Sequence, residues 1–265
     1  MTHDLSSESI YDHPLIAELY DTSENYTDDV ELLRRLIGDS GPLDILECFS
    51  GTGRILVPLA GDGHRITGIE IAPSMAARAS EKLERLGAKI VDRVTLKVRD
   101  VLDGGWGTGY DLLIIGANAF YELPSADAQA HCVEMARDAL APGGHLFIDN
   151  DDYKGNWGAG PFGRGRVVFE GVGSDGAYGR WSMEGIRFDE AGAVLHSRRR
   201  WHTRSPDGHE HDVEYVSKKH PVSAGEVRVW LDQYGFETLH VFGDRHGTPH
   251  SVASERAIFW ARKLD

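Results

Sequence analysis

The chain has 265 residues, 41% of them hydrophobic and 26% charged, proportions of a folded globular protein that exclude extended disorder. It is acidic, with 42 Asp and Glu against 28 Lys and Arg and a formal net charge of −14, which opposes attraction to a nucleic-acid backbone and favours a small or cationic partner. Its two cysteines, Cys48 and Cys132, fall outside any CxxC or Cys/His spacing; with no basic-then-apolar leader and no apolar run of about 18 residues, a cytoplasmic protein without a membrane span is expected.

Taken in order, the chain begins with apolar residues at helical spacing, Leu15, Ile16 and Leu19, then Val30, Leu33, Leu36 and Ile37, predicting helices over 14–20 and 27–37. Strand and helix patterns then alternate. Strands are expected at 43–49, 64–70, 93–99, 111–116 and 145–149, and helices at 54–61, 74–86 and 125–140. After residue 152 the composition shifts to Gly, Arg and aromatics, and 165–171, 177–188, 193–204 and 210–218 alternate like antiparallel strands joined by turns. A helix over 223–234 and strands at 237–242 and 255–262 close the chain. The expected architecture is α/β: a doubly wound, mainly parallel seven-stranded sheet with an antiparallel β-rich insertion as a lid. The expected divisions are a helical cap (1–40), a ligand-binding core (41–150), the insertion (151–220) and closing elements of the core (221–265).

The chemistry-bearing stretches lie at successive strand ends. The first strand runs through Glu47-Cys48-Phe49 into the turn Ser50-Gly51-Thr52-Gly53, which opens a helix at Arg54. Such a turn brings backbone close to a ligand and directs free N–H groups at it. Seventeen residues after Gly53 the second strand ends in Glu70, and the third leads to Asp100-Val101. Further on come Tyr110-Asp111-Leu112-Leu113-Ile114-Ile115-Gly116 and Leu140-Ala141-Pro142-Gly143-Gly144.

As an ordered set these five motifs resemble those of the class I S-adenosylmethionine-dependent methyltransferases, with one departure, Phe49 standing where the family usually has its first glycine. The resemblance implies S-adenosylmethionine as cofactor and S-adenosylhomocysteine as product. It implies a cofactor site made of Tyr11, Tyr20, Glu47, Phe49, Gly51, Gly53, Arg54, Glu70, Ile71, Met75, Asp100, Val101 and Asn118. Within it Gly51 and Gly53 would face the methionine part and Glu70 the ribose, with Met75 and Val101 on the adenine faces and Asp100 at its exocyclic amine. Tyr26 is a further candidate from the cap.

Methyl transfer is an in-line displacement in which alignment and water exclusion dominate, so few catalytic groups are required. The loop after the fourth strand supplies Tyr121 and Glu122 as catalytic candidates, Glu122 as a base or as the counter-charge of an amine. From the insertion Tyr153, Trp157, Arg198, Arg200 and His202 are assigned to the acceptor. Strand parity puts Arg198, Arg200 and His202 on one face and Arg199, Trp201 and Thr203 on the other, and leaves open which face points inward.

No metal is expected. The Asp149-Asn150 pair resembles part of the magnesium site of catechol-type enzymes, but Gly116 to Asn118 offers no further carboxylate. The expected partner is a small-molecule acceptor, with neither nucleic acid nor membrane, and with a homodimer as the candidate assembly. The acceptor is read as a metabolite methylated at N or O, an amine being favoured. The competing readings are a tRNA or protein methyltransferase, an S-adenosylmethionine enzyme of another reaction type, and a non-catalytic cofactor-binding protein.

Overall fold

The computed structural model describes residues 11–155, 163 and 165–265. The elements are, in order, α1 (Pro14–Ser23), α2 (Asp28–Ile37), β1 (Asp44–Cys48), α3 (Leu56–Gly61), β2 (Arg65–Glu70), α4 (Pro73–Leu86), α5 (Ala88–Val91), β3 (Val94–Val98) and β4 (Tyr110–Ile115). They continue as α6 (Ala126–Ala139), β5 (Leu140–Asp151), β6 (Arg166–Val172), β7 (Tyr178–Asp189), β8 (Val194–Arg204), β9 (Glu210–Lys219), α7 (Ala224–Gln233), β10 (Phe236–Phe242) and β11 (Arg256–Lys263). Two 3-10 turns, Val101–Asp103 and Ala119–Glu122, follow β3 and β4.

The larger sheet has the order β10-β11-β5-β4-β1-β2-β3. All of its pairings from β5 to β3 are parallel, while β11 runs antiparallel to both neighbours. Its central strands are apolar at consecutive positions because both faces are covered. Leu46, Cys48, Leu113, Ile115 and Ile148 pack under Cys132, Val133 and Ala136 of α6 and Val227 and Leu231 of α7. The alternate residues Ile45, Ile114 and Phe147 pack under Val30, Leu33 and Ile37 of α2 and Leu56 and Leu59 of α3.

The insertion forms a separate antiparallel sheet, β6-β7-β8-β9. Helix α1 lies between it and α4: Ile16 and Leu19 pack on Trp181 and Trp201, while Ala17 packs on Ala72 and Met75. Polar contacts fix both sides. Asp21 accepts from Thr52, Arg78 and Lys82 on the cofactor side, and Glu18 accepts from the backbone and hydroxyl of Ser174 at the β6–β7 turn.

The start of β5 differs most from expectation. β5 begins at Leu140, before Pro142-Gly143-Gly144, and a register slip between Tyr110 and Leu112 of β4 accommodates the extra residues.

β1 and β4 are adjacent but their continuations leave on opposite faces of the sheet, the arrangement that opens a ligand crevice beyond the strand ends. Phe49 after β1 (φ 60°) and Ala117 and Asn118 after β4 (φ 55° and 62°) are left-handed there. Among the described residues the other left-handed non-glycine is Ala193, in the β7–β8 turn. Left-handed backbone is unfavourable for residues with a Cβ, and its concentration at this crevice marks a site whose shape is imposed by its surroundings.

Candidate active site

The glycine turn is held by the acid at the end of β2. Glu70 accepts from the backbone N–H of Gly51 (2.9 Å) and of Ala72 (2.8 Å), and burial raises its pKa while these bonds oppose the rise. Gly51 is left-handed and a Cβ built there meets nothing within 4 Å, so its face is open to a ligand. Gly53 serves packing: a Cβ there would lie 3.0 Å from Val57 and 3.2 Å from Ala79, so its absence lets α3 and α4 approach. Phe49 keeps the left-handed backbone a glycine would adopt and packs its ring against the α6 side of the core. The departure from the family pattern therefore changes the side chain and leaves the turn's path intact.

Tyr11 and Tyr20 meet edge to face at 5.6 Å beside Ala72 and Met75. Met75 and Val101 are buried, whereas Ile71 is 47% exposed and offers the apolar surface still open to a flat ring. Asp100 caps the turn after β3 by accepting from the Leu102 N–H at 2.9 Å. Arg54 pairs through two bonds (2.7 and 2.6 Å) with the buried Asp29, and the Tyr26 ring sits between the guanidinium groups of Arg54 (3.9 Å) and Arg245 (4.2 Å).

Glu47 is buried in β1, and its Oε2 has no hydrogen-bond partner. Burial pushes its pKa up to about 8, against the opposing pull of Arg54. An orphaned carboxyl oxygen beside the glycine turn suits the ammonium of a methionine moiety, so the residues present fit S-adenosylmethionine.

Asn118 contributes structurally at the end of β5. Its Oδ1 accepts from the Asp151 N–H (2.7 Å) and from Arg256 (3.1 Å), and its amide donates to Asp151 (3.2 Å). Arg245 and Arg256 both pair with Asp149, which is fully buried. Asp149 is thus held in an arginine clamp, and among the described residues no group of three His, Cys, Asp or Glu is arranged to hold a metal ion. Tyr121 donates its hydroxyl to the Asp151 carbonyl (2.7 Å), and burial raises its pKa further above the usual phenol range.

Glu122 meets two cations. Arg199 Nη2 donates to both carboxylate oxygens at 3.0 Å, and Lys219 Nζ lies 2.5 Å from Oε1. Burial would raise the Glu122 pKa, but Arg199 and Lys219 outweigh it and hold it down to about 2. Paired with two cations the carboxylate is a weak base, which favours the expected counter-charge role over the expected role as base.

The insertion turns its other face inward. Trp181 and Trp201 stack at 5.5 Å and pack on α1, which brings Arg199 and Thr203 inside with them. Arg198, Arg200 and His202 therefore lie on the outer face, paired with Glu184, Glu214 and Asp212. Their assignment to the acceptor is corrected: burying the stacked indoles outweighs presenting the alternative face, and the outer charges find partners across neighbouring strands. Tyr153 follows β5 and meets Phe188 of β7 at 6.1 Å; Trp157 lies outside the described residues. Sequence reasoning missed Lys219 and Arg256, and of the inner face it lacked the signal that Trp181 and Trp201 are in register on adjacent strands.

Residues 46–146 match the family model described as a methyltransferase domain. No curated protein matches the chain. Among solved structures, an S-adenosylmethionine-dependent methyltransferase from Clostridium acetobutylicum superposes with a TM-score of 0.76 at 12% identity, covering 95% of this chain and 98% of that one. The sugar N-methyltransferase KedS8 of Streptoalloteichus gives 0.74 at 18%, covering 100% and 97%. CalS10, an amino pentose methyltransferase of Micromonospora echinaspora, gives 0.66 at 18%, covering 97% and 99%. Residues 46–146 thus carry a methyltransferase domain, and the whole chain shares its fold with S-adenosylmethionine-dependent methyltransferases.

Proposed function

We propose that the protein methylates an amine nitrogen of a small-molecule metabolite, held between the carboxyl edge of the large sheet and the inner face of the β6–β9 sheet acting as a lid. The observation that carries this reading is the Glu122–Arg199–Lys219 cluster, which joins the loop after β4 to the lid beside the cofactor turn. Gly51, Glu47, Glu70, Ile71 and Asp100 bind the cofactor, with Tyr11 and Tyr20 closing over it. When bound, S-adenosylmethionine supplies a methyl group activated by the sulfonium charge, and S-adenosylhomocysteine is left. Glu122 stays ionised and accepts an N–H bond from the acceptor amine, orienting its lone pair and stabilising the positive charge that develops on nitrogen. Tyr153 lines the same space. The acidic balance of the chain supports a small acceptor, and the similarity in fold to a sugar N-methyltransferase and an amino pentose methyltransferase supports an amine.

Incubation with methyl-labelled cofactor and a size-fractionated cell extract tests the reading. Label should enter the small-molecule fraction with equimolar S-adenosylhomocysteine. Label in RNA or protein, substrate consumption without S-adenosylhomocysteine, or binding without turnover would each replace it with a competing class.

A further inference from the structure

We propose that the acceptor carries an anionic oxygen group, a carboxylate or a phosphate ester, held by Arg199 and Lys219 on the inner face of the lid. This rests on the reading of the site as an acceptor pocket and names the chemistry of what enters it.

The cluster has one positive charge more than its partners supply. Arg199 and Lys219 share the single carboxylate of Glu122. Of the next acids along the edge, Asp151 acts on Lys219 through its charge alone and is itself paired with Arg256, and Asp152 is paired with His250 and Lys154. On the outer face of the same sheet the arrangement is different, since Arg198 and Arg200 are matched by Glu184 and Glu214.

Arg199 also keeps a donor in reserve. It is 2% exposed; Nη1 donates to the Tyr11 hydroxyl (2.9 Å), Nη2 serves Glu122, and the buried Nε has no acceptor. The indole nitrogens of Trp181 and Trp201, on the same face, are likewise buried without an acceptor. The unsatisfied groups of β7 and β8 on this side are therefore N–H donors, and an unmet buried donor is costly. A ligand that brings oxygens and a negative charge supplies both deficits. Glu122, at 35% side-chain exposure, is the member of the cluster that an entering acceptor can reach first.

The test uses the full chain saturated with S-adenosylhomocysteine and titrated calorimetrically with inorganic phosphate and, separately, succinate. At least one probe is expected to bind saturably, and the tighter one identifies the group as phosphate ester or carboxylate. Lys219→Met should weaken that probe at least tenfold. Glu122→Gln should strengthen it severalfold, because two cations lose their internal competitor; a purely structural ion pair would give the opposite sign. If one variant fails to fold, the other carries the test. Absence of saturable binding by either probe, or weaker binding in Glu122→Gln, overturns the anion site while the methyltransferase reading stands. Failure of the wild type to bind S-adenosylhomocysteine overturns the reading beneath it.

Discussion

Arg199 Nη2 sits 3.0 Å from both carboxylate oxygens of Glu122, although the two are 77 residues apart, Arg199 on β8 of the smaller sheet and Glu122 in the 3-10 turn after β4 of the larger. The contact locks the loop after β4 to the lid and fixes Glu122 as an anion. Glu122→Gln should therefore lower kcat/KM for an amine acceptor at least tenfold, a loss of about 1.4 kcal/mol in transition-state stabilisation. Undiminished turnover would remove Glu122 from the mechanism.

Glu47 has the opposite electrostatics. Its pKa, pushed up to about 8 by burial, lies above the unfolded value of about 4.3, so the folded state holds a proton that the unfolded chain releases. Its contribution is fully present below about pH 4.3 and is lost as pH rises through about 8. Thermal unfolding of the apo protein should show wild type losing stability relative to Glu47→Gln between pH 5 and 8, with the gap widest at the alkaline end. Parallel curves for the two proteins would contradict the assigned burial.

The left-handed turn after β4 predicts a stabilising change. Ala117 has φ 55°, where a Cβ is unfavourable by roughly 1 kcal/mol. Ala117→Gly should raise Tm by a few degrees, because the relieved strain exceeds the loss of one methyl group; a lower Tm would show that the methyl contact dominates.

The cap and lid share a pH-sensitive contact. His13 accepts from the Leu15 N–H through Nδ1 at the start of α1, and its ring stacks on His211 of β9 at 4.2 Å. Burial lowers its pKa, His211 lowers it further and Asp12 opposes both. With a folded pKa below the unfolded value of about 6.5, the contribution is present above that pH and lost as pH falls through the folded value. His13→Ser keeps an N-cap acceptor without titrating, so its unfolding curve should flatten between pH 7 and 5 relative to wild type. An unchanged pH dependence would show that the contact is silent.

The parallel sheet was legible because β1, β4 and β5 bury both faces and read as apolar runs, while the hairpins of the insertion were marked by alternation and turn residues. The cofactor turn was legible because its glycines and acids are local in sequence. The lid face was not: Arg198 and Arg199 are adjacent and alike, and what separates them is the pairing of Trp181 with Trp201 and their burial under α1. Nor does spacing reveal that Lys219 reaches Glu122, a contact set by how the smaller sheet docks. At Gly53 the sequence did not reveal that a missing Cβ also serves helix packing.

On the proposed reading, the crevice beyond β1, β2 and β3 binds S-adenosylmethionine. Calorimetric titration of S-adenosylhomocysteine into wild type, Glu70→Ala and Asp100→Ala tests it most directly. Saturable one-site binding by wild type is expected, weakened at least tenfold in Glu70→Ala, which loses the brace on Gly51 and the proposed ribose contact, and clearly weakened in Asp100→Ala. Binding of unchanged affinity in both variants would place the cofactor elsewhere and contradict the account.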